Sequence, residues 1–544
     1  MPKSKKIFDE KIYVIGIVFV LALFIFVVMK TEFLSLNFFG ENEGGQLVIA
    51  RHSDSISLDP AIVTDFESFQ VSANIYECLV TTDNNGVEIL PGLAKSWEVS
   101  EDGLKFVFKL RENVVFHDNT PFDAEAVVFN FERWMNTESP YHIGQFIYWN
   151  QSFGGNPGLI KSITALSTYT FEIVLNEPYT PILSVLAMPA FGIASPTAII
   201  KYNEDLKTHP SGTGPYILKE WSDTGRVELI YNEKYYKKHS GVSELVFETL
   251  STEEDALQSL EIGEIHIINQ LDEKDVKTTS DLKYADVYYM PFLNISYLAM
   301  NHRKKAYDNL LVRQAISHVV DRNEMITTSY DLMSRPAYSF LPPTVFGYNE
   351  GFKTYTYDIE KGKDLLSKAG YPDGFDTTIW VMDQPRTYYP YPKKVATYLQ
   401  EQLALIHVNA EIVEVKWDEY LESVRLGEHD LAIVGWQGDY ADPDNFLYIM
   451  FNSSDDTIGS GLNYSYYSND DVDELLKKGR RTADKEFRSF IYRDLQQILV
   501  DIMVGLPLAH TMMALGVNNQ VKDFEPHISG MIYAINIELD ENDE

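Results

Sequence analysis

One cysteine in 544 residues leaves no intramolecular disulfide, so the fold must be held by cores and not by bridges. Positive charge is also scarce: 45 Lys and Arg stand against 80 Asp and Glu, a formal net charge of −35. No long basic run follows the first dozen residues. Nucleic acid is therefore excluded as a partner, because phosphate backbones are bound by concentrated Lys and Arg. The enzyme signatures are missing as well, with no Walker-type loop, Gly-x-Ser-x-Gly elbow, His-Glu-x-x-His or Cys-x-x-Cys pair. Gly212-Thr213-Gly214-Pro215 lacks the third glycine and the lysine of a phosphate cradle and reads as a structural turn. Asp439, Asp442 and Asp444 imitate a calcium loop, but Pro443 interrupts them and the loop glycine is absent. The twelve histidines are scattered. No metal, cofactor or catalytic residue is expected.

The chain does carry apolar material, 45 % hydrophobic and 13 % aromatic, enough for large cores. Its length predicts roughly two to four lobes at about 150 residues each. The apolar run in Gln46–Arg51 reads as a buried strand, and alternation over Lys105–Leu110, Phe171–Leu175 and Val227–Tyr231 predicts further strands. Helical spacing marks Ala124–Trp134 and Asp358–Ala369, so the class is mixed α/β or α+β. No fixed repeat and no Pro- or Ser-rich linker divides the chain, which argues for lobes built from discontinuous segments.

Residues 12–29 are eighteen uncharged, mostly large apolar residues, about 27 Å as a helix at about 1.5 Å per residue. Lys3, Lys5, Lys6 and Lys11 precede them and only Lys30 follows closely. This predicts a cytoplasmic N-terminus (1–11), a transmembrane anchor (12–29), a spacer (30–45) and a body outside the cytoplasm. A cleaved signal is the competing reading, against which stand the length of the run and the lack of an Ala-x-Ala-like site.

Four segments together resemble the extracytoplasmic solute-binding proteins of peptide ABC transporters, the oligopeptide, dipeptide and nickel-binding family. They are Leu93–Arg133 (LAKSWEVSEDGLKFVFKLRENVVFHDNTPFDAEAVVFNFER), Gly212–Tyr216 (GTGPY), Asn301–Arg322 (NHRKKAYDNLLVRQAISHVVDR) and Val434–Phe446 (VGWQGDYADPDNF). Ser139-Pro140-Tyr141-His142 and Trp380–Tyr391 (WVMDQPRTYYPY) are similar to the dipeptide-binding branch, with Thr387 where that branch usually has proline. The resemblance implies a two-lobed α/β periplasmic-binding-protein fold, type II-like and class C, with an extra subdomain. By the matching segments, lobe one is 46–291 plus 512–544 with the subdomain at about 76–222, and lobe two is 292–511. Chain crossings are expected near Asn294–Asn301 and Pro507–Leu515.

The implied activity is capture of dipeptides or short peptides without chemistry, with ABC permease subunits and their ATPases as partners. An oligopeptide, a nickel chelate or haem is the alternative cargo. A free dipeptide is a zwitterion with its charges within roughly 7 Å. The resemblance assigns its ammonium to Asp439 and its carboxylate to Arg386, whose planar guanidinium donates two parallel hydrogen bonds. Trp436 and Tyr388 are candidates to line the site. His52–Leu58 (HSDSISL) resembles the stretch that faces the ligand from the opposite lobe. Asn-x-Ser sequons at Asn150, Asn294, Asn452 and Asn463 leave glycosylation open.

Overall fold

Three larger sheets organise the protein in a computed structural model that describes residues 44–154, 158–238, 241–250, 252–291, 293–330, 333–351, 354–453 and 462–540. The chain divides into Met1–Gly45, almost wholly outside the described residues, and Gln46–Glu544, the body considered below.

The first sheet has seven strands, in the order Ala285–Pro291, Met512–Asn518, Ile267–Ile268, Gly45–Arg51, Val242–Thr249, Val227–Tyr231 and Tyr216–Trp221. The second has six: Arg335–Pro336, Gly505–His510, Asn294–Met300, Leu431–Gln437, Phe375–Met382 and Val408–Val415. A four-stranded antiparallel sheet, Ala94–Val99, Lys105–Leu110, Thr170–Leu175 and Ile160–Ser167, forms a separate layer.

The residue patterns explain these roles. Asn294–Met300 (NISYLAM) is buried at every position, as a central strand covered on both faces must be. Lys105–Leu110 (KFVFKL) instead alternates, burying Phe106, Phe108 and Leu110 against the helix Ala124–Met135. That helix is capped by Asp123, whose side chain accepts from the Ala126 amide; Asp358 caps Ile359–Lys368 through the Lys361 amide in the same way. The Gly-Thr-Gly-Pro turn has a packing explanation. A Cβ at Gly212 or Gly214 would lie 2.2 or 2.6 Å from the Ile75 carbonyl oxygen, so only glycine lets the two backbones approach.

The two large sheets exchange chain twice. Pro291 ends a strand of the first and Asn294 begins a strand of the second; His510 ends a strand of the second and Met512 begins one of the first. Asn294 fastens these crossings together. Its amide nitrogen donates to Thr511 Oγ1 at 2.6 Å, its amide oxygen accepts from the Thr511 backbone at 2.9 Å, and its carbonyl lies 2.6 Å from His510 Nδ1. Asn294, Asn452 and Asn463 are buried, which closes those sequons to glycan attachment in the folded protein; Asn150 is exposed.

The membrane anchor expected from the sequence is corrected. Among the described residues no helix is long and apolar enough to cross a membrane, and residues 12–29 lie outside them. An uncharged apolar run sets only a capacity to span, shared by leader segments, and no described helix realises it. Over the described residues the fold is a two-lobed α/β body in which no helix is long and apolar enough to cross a membrane. Membrane attachment through the expected anchor and a single-pass location are withdrawn with it.

Candidate functional site

Three parallel strands of the second sheet, Phe375–Met382, Val408–Val415 and Leu431–Gln437, end on the same side. Segments leaving their carboxyl ends carry Arg386, Trp417 and Asp439, which is where open α/β sheets present ligand-binding groups. The Arg386 loop is pinned by paired backbone bonds between Arg386 and Tyr389, at 2.9 and 2.8 Å. Thr511 at the crossing donates to the Thr387 carbonyl at 2.7 Å, and Thr387 donates to Gln437 at 2.8 Å.

A cavity of about 790 Å³ opens in front of this loop. The second sheet contributes Arg386, Thr387, Tyr388, Trp417, Gln437 and Thr511; the first contributes His52, Asp54, Asp65, Glu67, Asp272 and Glu273. The two sides also touch directly, for Tyr391 donates to Glu273 at 3.2 Å.

Arg386 is half-buried, with its guanidinium carbon 3.5 Å from the centroid of the Trp417 ring. Its Nε is buried without a hydrogen-bond partner. Burial lowers its pKa, and Tyr388, Asp383 and Asp418 offset this only from a distance. A planar cation held flat on an aromatic face with an unused donor is prepared for an anion.

Tyr388 lines the same cavity, and burial pushes its hydroxyl up to about 12. Its ring lies over Gly435, where a Cβ would sit 2.3 Å from Tyr388 Cδ2 and 2.7 Å from the Ile295 carbonyl. Glycine in the strand Leu431–Gln437 is what admits the ring.

Asp439 and Trp436 are not among the cavity-lining residues. They are held together by Asn445, whose Oδ1 accepts from Trp436 Nε1 at 3.2 Å and from the Asp439 backbone at 2.9 Å. The Asp439 carboxyl is pushed up to about 6, by burial first and foremost, with Asn445 and Tyr148 as hydrogen-bonding neighbours that partly restore the anion. Tyr148 belongs to the helix Ile147–Phe153 and also feels the charge of Asp65, which lines the cavity. Asp439 follows the lining residue Gln437 by two positions, and its hydrogen-bonding neighbour Tyr148 is within electrostatic reach of the lining residue Asp65.

The other two acids of its cluster are spoken for. Asp442 makes a buried bidentate pair with Arg488 at 2.6 and 2.7 Å, and Asp444 one with Arg480 at 2.9 and 3.0 Å. Only Asp439 of the three lacks a cationic partner among the described residues. Trp417, Glu67, Asp272 and Glu273 carried no local signal in the sequence, whereas Asp54 lies in the stretch His52–Leu58 that the resemblance turned toward the ligand. Asp65 had one, as a helix cap that accepts from the Ser68 amide at 2.8 Å.

Comparisons with known proteins give a consistent result. Residues 88–457 match the model for "Bacterial extracellular solute-binding proteins, family 5 Middle". The dipeptide-binding protein of Escherichia coli K12 is 32 % identical over 493 residues, covering 88 % of this chain and 91 % of that protein. Heme-binding protein A of Haemophilus influenzae is 32 % identical over 488 residues, covering 86 % and 88 %. The structure of HbpA2 from Haemophilus parasuis superposes with a TM-score of 0.86 at 31 % identity, covering 91 % of this chain and all of that one.

Proposed function

This chain belongs to the bacterial extracellular solute-binding proteins of family 5, and on that premise we propose that its solute is a short peptide held by its two charged ends. It is an extracytoplasmic, non-catalytic component of an ABC importer that captures a small ligand. The reading of the cargo rests on one observation: Arg386 stands on the cavity with a guanidinium that makes no hydrogen bond to the protein among the described residues.

The peptide carboxylate docks on Arg386 through charge-assisted hydrogen bonds, each worth about 1.5–3 kcal/mol. The ammonium goes to Asp439, displacing the Tyr148 hydroxyl from that carboxylate. A charge buried without its partner costs several kcal/mol, so the two groups measure main-chain length and leave side chains room. Tyr388 and Trp436 shield the two ion pairs from water. Residues 46–291 with 512–544 form one lobe, with the subdomain at about 76–222, and 292–511 the other. The lobes close on ligand about the Asn294 and Thr511 crossings, and the closed form is what a permease engages.

Haem is the second reading, favoured by the relative that bears that name. Haem carries two propionates, and the cavity lining offers them a single guanidinium among several carboxylates. Native mass spectrometry of the full chain, stripped of ligand by partial denaturation and refolded, decides between them. Stoichiometric retention of unmodified dipeptides supports the peptide reading. Retention of haem or a nickel chelate alone overturns it.

A further inference from the structure

The charges around the cavity are unevenly divided between the two sheets. The carboxylates of the lining, those of Asp54, Asp65, Glu67, Asp272 and Glu273, all come from the first sheet's side. Arg386, the one Lys or Arg of the lining among the described residues, comes from the other side. A zwitterionic dipeptide is neutral and cannot balance this field. Once its carboxylate takes Arg386, the cavity is left strongly negative on the side that faces it.

Some of these acids are accounted for locally. Asp54 is neutralised by Arg51, which lies 2.6 Å away and is itself buried, and it also accepts from Trp221 Nε1 at 3.1 Å. Glu273 accepts from Tyr391. Asp65 caps the helix Phe66–Ile75, accepting from the Ser68 amide. Glu67 accepts a 3.3 Å bond from Asn269, and its pKa is raised by burial despite the nearby Arg51, the response of a carboxylate short of positive company. Asp272 precedes the helix Glu273–Ser280 without capping it through its side chain.

The acids are also spread and not convergent. Among the described residues no group of three or more His, Cys, Asp or Glu is placed to hold a metal ion. Their combined effect is a field across a cavity whose existence, and whose unpartnered Arg386 Nε, are independent of them.

We propose that this cavity selects peptides that carry a basic side chain, with the carboxylate on Arg386 and a lysine ammonium or arginine guanidinium directed across the cavity toward Asp65 and Glu67. The assignment rests on the peptide reading above and adds to it a side-chain class. It also gives the ligand a polarity that matches the two lobes, since its anionic end meets one and its extra cation the other. Such a ligand gains from closure at both ends.

The test is calorimetric titration of the full chain, freed of ligand, with a series that varies only side-chain charge: Ala-Lys, Ala-norleucine and Ala-Glu. At low salt Ala-Lys is expected to bind about tenfold more tightly than Ala-norleucine and about a hundredfold more tightly than Ala-Glu, and the spread should shrink toward 0.5 M salt. The Glu67→Gln variant is expected to narrow the gap between Ala-Lys and Ala-norleucine. Equal affinity for Ala-Lys and Ala-norleucine overturns the proposal and leaves the peptide reading standing. Binding of none of the three, with haem or nickel chelate bound instead, overturns both. Because the ligand series needs no substitution, a Glu67→Gln variant that fails to fold does not remove the test.

Discussion

Asp439 supplies a prediction that can be worked through to a number. Its carboxyl titrates at about 6 in the ligand-free protein because burial disfavours the anion. A peptide ammonium placed against it favours the anion and pulls the pKa back toward or below the ordinary value of 3.8. Binding must therefore expel whatever proton is present. With a pKa of about 6, about nine tenths of the carboxyls are ionised at pH 7 and about one tenth at pH 5. Affinity should fall about tenfold over that interval, or about 1.4 kcal/mol. The ligand's own groups stay charged throughout, with an ammonium near 8 and a carboxyl near 3.5.

The sign for stability is the reverse. A carboxyl raised in the folded state favours the ligand-free fold below about 4, and that contribution is lost as pH rises through 6. Titration calorimetry at pH 6, in two buffers of different ionisation enthalpy, should register about half a proton released per peptide from Asp439. The decisive quantity is the difference from Asp439→Asn, which cancels the contribution of every other group. If the variant shows the same proton release and the same pH dependence, Asp439 does not meet the ammonium and the reasoning fails.

Other perturbations give equally definite outcomes. Arg386→Gln should raise the Kd for dipeptides about thirtyfold, about 2 kcal/mol, with little change in Tm, because its guanidinium bonds no other residue in the described structure; calorimetry and differential scanning read the two effects separately. Gly435→Ala should force Tyr388 off the strand, costing about 1–3 kcal/mol of stability in chemical denaturation and weakening peptide binding, since the new Cβ has no room against either the ring or the Ile295 carbonyl. Asp442→Ala should cost about 3–5 kcal/mol by leaving the Arg488 guanidinium buried without its anion, and a wild-type Tm would contradict the pair's structural role.

The strands at 46–51, 105–110 and 227–231 and the helix from Ala124 were legible because an apolar run, alternation and helical spacing respectively mark those segments. Of the four residues that the resemblance assigned to the ligand, Arg386 and Tyr388 line the cavity, and Asp439 and Trp436 are not among its lining residues. What could not be read is long-range pairing. Asp442 and Asp444 looked equivalent to Asp439 until arginines 46 and 36 residues away claimed them. Trp417, which forms the floor under Arg386, and the acids Glu67, Asp272 and Glu273 reach the cavity from separate segments, and no local pattern ties them to it. The apolar run at 12–29 was read as a span from its hydropathy, its flanking lysines and the lack of an Ala-x-Ala-like site, which measure capacity to enter a bilayer and not its use.

The central claim is that the cavity measures a peptide between two charged ends. Its most direct test is titration calorimetry of the ligand-free full chain with one dipeptide in three forms: free, amino-acetylated and carboxy-amidated. One-to-one binding of the free form, weakened about a hundredfold by either cap, is the predicted result. Equal binding of all three forms, or silence toward all three beside tight binding of haem, would contradict it.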